Sequence, residues 1–198
     1  MEPEVRKFFW SLHQEVLYLF YRWKIFRQLF ASGKENLELL NKSGSNVFAL
    51  LQCLIEDNII LTLCRLTDPE KTGSNENLSI RNFLGRIDAG VNADVMGDLH
   101  SKLANLQTAT EKLRIHRSKR IAHLDLSHTF TPELLPILQY SDLQDVLKLL
   151  ESLMREIHLV IFNADTSYME PAVAYGCDGE HLFRVLGDAR RQNDNNVF

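Results

Sequence analysis

Arg117 and His123 are the residues best suited to chemistry, and five residues separate them. Histidine can give or take a proton near neutral pH, while arginine carries a permanent charge and a fork of donors that matches phosphate oxygens. Together they can act on a phosphodiester without a metal ion. The pair therefore points to cleavage of RNA, in which a 2'-hydroxyl attacks the adjacent phosphorus.

The stretch 112–125 around this pair is basic, although the formal net charge of the whole chain is -4. The positive charge is therefore concentrated in this stretch, where it could bind the phosphate backbone of a nucleic acid. Arg114, Lys119 and Arg120 are predicted to hold the RNA backbone, so binding should weaken steeply with salt. Asp94 and Asp98 lie near the start of the preceding helix, so the helix dipole explains part of this charge asymmetry.

The spacing alone is a weak signal, because 13 arginines and seven histidines produce it about once by chance. Arg6 and His13 form a second match, which we interpret as a decoy on the apolar first helix. In the competing interpretation, His123 is a structural histidine bonded to Asp125 or to a carbonyl. The basic stretch is then only a solvated helix end.

Several neighbours of the pair have predicted supporting roles or none. Ser118 and Asp125 are predicted to support the pair, Asp125 either by orienting it or only by capping, and His116 and His128 are predicted to be bystanders. A metal site built from His116, His123, His128 and Asp125 lacks recognised ligand spacing, so neither a metal nor another cofactor is predicted. Arg65 and Asp68 end the second helix and are predicted to have a structural role.

Composition favours one soluble domain. The chain has 198 residues, of which 45% are hydrophobic and 24% charged, which is enough for a sizeable core. Its three cysteines show no CxxC spacing, and Cys53 and Cys64 lie about 16 Å apart on one predicted helix, so a reducing compartment is expected. Acids near the N-terminus and charges within the apolar clusters argue against a signal peptide or a membrane span, so the predicted location is the cytoplasm.

Apolar residues recur at helical spacing through most of the chain, and no stretch alternates like a strand. The second helix is predicted to follow a break at 43–45 and to bury Val47, Leu50, Leu51 and Leu54. Segments 71–77 and 126–136 are predicted to be irregular, and Ser141 is predicted to open a capping box with Gln144. The predicted helices cover residues 2–31, 34–41, 46–68, 78–87, 93 to the basic stretch, 141–163 and 180–191, with a polar end at 192–196.

The string Arg-Ser-Lys-Arg-Ile-Ala-His-Leu-Asp at 117–125 and the string Arg-Leu-Thr-Asp-Pro at 65–69 resemble the HEPN superfamily, and most closely its AbiU-like abortive-infection branch. The residue after the motif arginine is often Asn, Asp or His in active members, and here it is Ser118. The resemblance implies an all-α, up-and-down helical bundle over 1–165 with a C-terminal extension over 166–198.

The same resemblance implies a homodimer in which the Arg and His of both subunits meet in one cleft and cut RNA without a metal ion. It also implies a place in a phage-defence or toxin-antitoxin system, with an antitoxin or defence-system partner. The alternative is a catalytically inactive HEPN dimer that binds RNA, a nucleotide or a protein. A purely structural helical adaptor is the third class, and it predicts no salt-sensitive RNA binding.

Overall fold

The computed structural model describes residues 2–123, 125–131 and 135–195, and this part of the chain is an all-α bundle. The fold class predicted from the sequence is therefore confirmed. The α-helices are α1 (Pro3–Phe30), α2 (Lys34–Leu66), α3 (Ile80–Ile87), α4 (Ala93–Ala109), α5 (Glu111–His116), α6 (Leu126–Phe130), α7 (Tyr140–Phe162) and α8 (Gly179–Asn195).

α1 is the central helix of the bundle and packs against α2, α3 and α8. It begins with Pro3, whose fixed φ suits the first helical turn. Its apolar residues recur every three or four positions and are buried along one stripe, as the sequence predicts. The buried residues of this stripe are Phe9, Leu12, Val16, Leu19, Phe20, Trp23, Phe26 and Leu29.

α2 consists of two helical segments that meet at Gly44, inside the predicted break at 43–45. The break survives as a kink, because Gly44 has a non-helical backbone inside α2. The C-terminal half of α2 enters the core through residues such as Ile59, Ile60 and Leu63, and in its first half Leu40 is buried. α2 contains a window with mean hydropathy 1.8, long and apolar enough to cross a membrane by composition, a test that core helices also pass.

The predicted burial of the apolar residues between 47 and 54 is wrong. Val47, Leu50, Leu51 and Leu54 are 60%, 61%, 38% and 55% exposed. Helical periodicity identifies an apolar face but does not reveal whether the same chain covers it. An exposed apolar run of this length is typical of an interaction surface.

Segment 71–77, predicted to be an irregular loop, forms a small antiparallel hairpin between Lys71–Thr72 and Asn75–Glu76. Two-residue strands lie below the length at which alternation is visible in a sequence. α3 follows the hairpin and begins where the Ser79 side chain accepts a hydrogen bond from the Asn82 amide. The hairpin leaves the all-α class unchanged.

α4 packs along α7, and together they form the second wall of the core. α7 begins with a capping box formed by Gln139 and Asp142, which corrects the predicted box of Ser141 and Gln144. Both residue pairs have the three-residue spacing of a capping box. The helix begins after Gln139, whose backbone is extended, and so the first pair forms the box. Part of the segment predicted to be irregular, 126–130, is the short helix α6; Pro132 lies outside the described residues.

The C-terminal extension folds back on the bundle. Residues 163–178 run along α1, where Arg27 donates to Glu170 and Tyr21 donates to the carbonyl of Cys177. α8 continues to Asn195, past the predicted end at 191, and it packs against α1 and α2. The part of the predicted polar end that is described, 192–195, is therefore helical; residue 196 lies outside the described range.

Gly179 is the closest point between α8 and α1, because an added Cβ would lie 2.8 Å from Gln28 Cβ. We expect Gly179→Ala to destabilise the docked helix by about 1–3 kcal/mol, the usual cost of overpacking. Urea unfolding and limited proteolysis of 163–178 measure this effect. Gly187→Ala in the same helix is the control, since its Cβ meets nothing within 4 Å and alanine favours a helix by about 1 kcal/mol. Equal stability of both variants would contradict this packing.

Candidate active site

Asp68 holds the arginine of the motif. Its carboxylate accepts from Arg117 Nη1 at 2.8 and 3.0 Å and from Arg114 Nη1 at 2.6 Å. Arg114 also donates to Thr67 Oγ1 and to the Cys64 carbonyl. The end of α2 therefore fixes both guanidinium groups through charge-assisted hydrogen bonds. Because both contacts from Arg117 to Asp68 use one nitrogen, other donors of its five-donor fork remain for a phosphate.

The Asp68 side chain is only 14% exposed, so loss of its charge leaves two arginines without their acceptor in a partly desolvated position. We expect Asp68→Asn to lower the free energy of unfolding by about 1–3 kcal/mol, the range for hydrogen bonds to charged groups. Chemical denaturation monitored by circular dichroism measures the change. The control is Asp165→Asn, because Asp165 pairs with Arg155 at an exposed position where such a bond contributes about 0–1 kcal/mol. Equal losses in both variants would contradict the clamp.

The backbone changes its winding at the motif. α5 ends at His116, residues Arg117–Ile121 form a π-helical turn, and the Ala122 amide donates to the Arg117 carbonyl at 2.7 Å. π-helical turns are rare and occur frequently at functional sites. Residues six apart on a straight α-helix point about 120° from each other. The π turn and the helix end before His123 release the pair from that constraint.

His123 is exposed, and it forms no hydrogen bond with any described residue. The competing interpretation, in which Asp125 holds His123, does not match the structure. The Asp125 carboxylate accepts instead from His128 Nδ1 at 2.8 Å and from Lys119 Nζ at 2.9 Å. These bonds, first from His128 and then from Lys119, hold the pKa of Asp125 well below its usual range. Asp125 thus caps α6 and anchors Lys119.

All five cations of the stretch 112–125 are paired with carboxylates. Four aspartates take part, one on α2 and one just after its end, so the group as a whole carries one net positive charge before any histidine is counted. These pairs reduce the local positive potential that the sequence predicts. The pairs are Lys112 with Asp142, Arg114 and Arg117 with Asp68, Lys119 with Asp125, and Arg120 with Asp57.

Ser118 and His116 bond to nearby carbonyls. The Ser118 hydroxyl donates to the Ile115 carbonyl at 3.2 Å, within its own helical turn. His116 is buried and donates from Nε2 to the Pro136 carbonyl at 2.7 Å, which ties α5 to the segment before α7. His116 therefore has a structural role. Ser118 supports the turn that contains the motif, and neither residue touches His123.

The cysteines show no sign of reactivity at this site. Burial, the largest effect, raises the pKa of the Cys64 thiol to about 11 despite the nearby arginines. A thiol of this kind stays protonated and is a poor nucleophile. All three cysteines are free, as the predicted distance between Cys53 and Cys64 requires. No group of three or more metal-ligating side chains occurs within the described ranges.

The second Arg and His match lies in a different setting. His13 Nδ1 bonds to the hydroxyl of Tyr168 at 2.8 Å, and its ring lies 5.8 Å from that of His158 among aromatic side chains. Burial and then the neighbouring His158 lower the pKa of His13. Tyr168 is fully buried and belongs to the segment that connects α7 to α8. His13 therefore holds this connecting segment on α1.

Because the pKa of His13 is lower in the folded than in the unfolded protein, the unfolded protein binds protons more readily. We expect the stability contributed here to be fully present above about pH 6.5 and to fall as the pH drops below it. The unfolding free energy, measured between pH 5 and 8 for wild type and His13→Gln, should show a weaker pH dependence in the variant. Exposed His100, changed to Gln, is the control, and identical slopes for all three proteins would contradict the prediction.

Sequence reasoning identified Arg117 and His123 but assigned Asp68 only a structural role at a helix end. Asp68 lies 49 positions before Arg117, so no local spacing rule connects them. The string at 65–69 was the available signal, because it contributed to the family resemblance without an assigned partner. Asp57, the partner of Arg120, gave no signal at all, since it is one of three polar residues at 56–58 and nothing in the sequence connects it with the motif.

The comparisons with known proteins identify a family. The HEPN family model described as AbiU2 matches residues 2–182, which includes the whole bundle and the start of α8. No curated protein matches the chain. No solved structure matches it either.

Proposed function

Because the chain belongs to the AbiU2 family of abortive-infection HEPN domains, we propose that it is a metal-independent endoribonuclease of a phage-defence or toxin-antitoxin system. One observation supports this activity most. Arg117 is fixed by Asp68 on a π-helical turn, and His123 follows exposed where the helix ends. A fixed cation and an accessible imidazole are the two groups that phosphodiester cleavage requires.

In the proposed reaction the ribose 2'-hydroxyl attacks the adjacent phosphorus and loses its proton to a neutral imidazole of His123. Charge accumulates on the phosphorane oxygens, where Arg117 stabilises it. The bond from phosphorus to the 5'-oxygen breaks, and a protonated imidazole gives that oxygen a proton. The products are a 2',3'-cyclic phosphate and a 5'-hydroxyl, and neither step requires a metal.

One subunit offers only one His123, whereas the reaction uses a base on one side of the phosphorus and an acid on the other. We therefore assign the second imidazole to a second copy of the chain, related by a two-fold axis. The exposed apolar run on α2 is the surface that we assign to this contact. It consists of Val47, Leu50, Leu51 and Leu54, and a helix so apolar is normally covered.

The proposed dimer surface leads directly to the motif. Asp57 lies three residues after Leu54, about 4.5 Å further along α2, and it pairs with Arg120 at 2.6 Å. Asp68 at the end of the same helix holds Arg117. α2 carries the apolar run and leads to the partners of the motif, so a two-fold contact in which the two α2 helices run parallel brings the two copies of the motif toward one groove.

The RNA backbone is proposed to lie against Arg114, Lys119 and Arg120. The side chains of Lys119 and Arg120 are 40% and 36% exposed and can exchange a carboxylate for a phosphate at the rim. Arg114 is bonded to three protein groups, so it contributes charge and holds Asp68 in place. Protein carboxylates compete with the RNA phosphates for these cations. We therefore expect the affinity for RNA to fall with salt less steeply than the number of cations alone would suggest.

The second candidate is an inactive HEPN dimer that binds RNA, a nucleotide or a protein, and the pairing of all five cations favours it. Purified protein incubated with total RNA and EDTA distinguishes the two functions. The nuclease produces fragments with cyclic-phosphate and 5'-hydroxyl ends, and His123→Ala produces none. Intact RNA that both proteins still bind would favour the binding module. We further propose that the protein acts in the cytoplasm and that an antitoxin or another component of a defence system is its partner.

A further inference from the structure

α6 presents two exposed apolar side chains next to the motif. Leu126 and Phe130 are 67% and 77% exposed and lie four residues apart, on the same face of this short helix. α6 begins three residues after His123. An exposed phenylalanine beside a candidate active site is unexpected for packing reasons alone, since neither residue contributes to the core.

The position of α6 is fixed by Asp125. Its carboxylate accepts from the amide and the ring of His128 in the first turn and from Lys119 Nζ in the π turn. The Thr129 hydroxyl also donates to the Asp125 carbonyl at 2.8 Å. α6 therefore packs against the π turn, which places the backbone of Phe130 close to the motif while its ring stays exposed.

The charges around this face indicate what covers it. Lys119, Arg120 and His123 precede α6 in the chain. Lys119 and Arg120 are paired with Asp125 and Asp57 but keep 40% and 36% of their side chains exposed, and His123 is exposed as well. An exposed aromatic ring beside cations is the composition that binds single-stranded nucleic acid, where bases stack on rings and cations follow the phosphates. The apolar run of α2 already provides the larger surface for a second copy.

From these contacts we infer that Phe130 is a positioning residue that stacks on an unpaired base of the RNA substrate, next to the phosphate at His123. This inference rests on the proposed function and deepens it by naming the substrate class. A base inside a duplex has no free face, so the preferred substrate is single-stranded at this nucleotide. Stacking fixes the ribose and its phosphate relative to the motif.

The test measures binding in a His123→Ala background, so that the probe stays intact. The probe is a short fluorescein-labelled single-stranded RNA of mixed sequence, and the same RNA annealed to its complement is the second probe. Phe130→Ala should weaken binding of the single strand by roughly 5- to 150-fold, while Phe130→Trp preserves it. Binding of the duplex should change little. Tyr175→Ala removes a ring that is 88% exposed on the extension and is the matched control.

Each other outcome overturns the inference. Unchanged single-strand affinity in Phe130→Ala, or an equal loss in Tyr175→Ala, refutes stacking but leaves the nuclease proposal intact. A Phe130→Ala protein that becomes monomeric in sedimentation assigns the ring to a subunit contact instead. If the dimer binds neither probe, both the inference and the proposed function fail.

Discussion

We expect His123→Ala to lower the rate of RNA cleavage in EDTA by about 10²- to 10⁴-fold, the range that positioned proton transfer contributes. The imidazole is exposed and bonds to no described residue, so its removal should leave the fold unchanged. Circular dichroism and thermal unfolding check that point. Fragment ends, labelled after removal of the cyclic phosphate, measure the rate for both proteins.

His100→Ala is the matched control, because His100 is also an exposed histidine and lies on α4, outside the candidate site. It should cleave RNA at the wild-type rate. A His123→Ala protein with more than a tenth of the wild-type rate would show that His123 is not the acid or the base. In that case the Arg117 guanidinium fixed by Asp68 would serve binding alone.

We expect Leu50→Glu to convert the proposed dimer into monomers and to abolish the proposed cleavage. Leu50 is 61% exposed in the single subunit, so the substitution should change its stability by no more than about 0.5 kcal/mol. At a two-fold contact each substitution places a carboxylate near its own copy, and like charges at an interface cost several kcal/mol. This raises the dissociation constant of the dimer by at least about 100-fold. Analytical ultracentrifugation measures the constant.

Leu159→Glu is the control for this experiment, since Leu159 is 51% exposed on α7, away from α2. It should remain dimeric and active. A monomeric Leu50→Glu protein that still cleaves RNA would refute the composite site. A Leu50→Glu protein that stays dimeric would instead move the subunit contact away from α2.

The helices were predictable because burial imposes a period on the sequence. α1 and α7 follow their apolar repeats almost to the residue, and the kink at Gly44 lies inside the predicted break. Exposure of Leu50 was not predictable. Apolar residues that recur every three or four positions show which face of a helix is apolar. The pattern is the same whether that face is covered by the core of its own chain or by a second chain.

The motif itself was visible in the sequence, but its electrostatic surroundings were not. Arg117 and His123 stand out through residue type and local charge. The partner of Arg117 is Asp68 and the partner of Arg120 is Asp57, both brought from α2 by the fold. A basic stretch in the sequence therefore indicates where cations lie. Only the structure shows that these cations are already paired with carboxylates.

A structure of the assembled protein tests the central claim most directly. The distance between the two His123 imidazoles, and the direction of each Arg117 guanidinium, are the quantities to measure. We predict that both pairs face one groove across the α2 contact, close enough to reach opposite sides of a single phosphate. Two motifs on opposite outer faces of the assembly, or a protein with no contact between copies, would contradict the account.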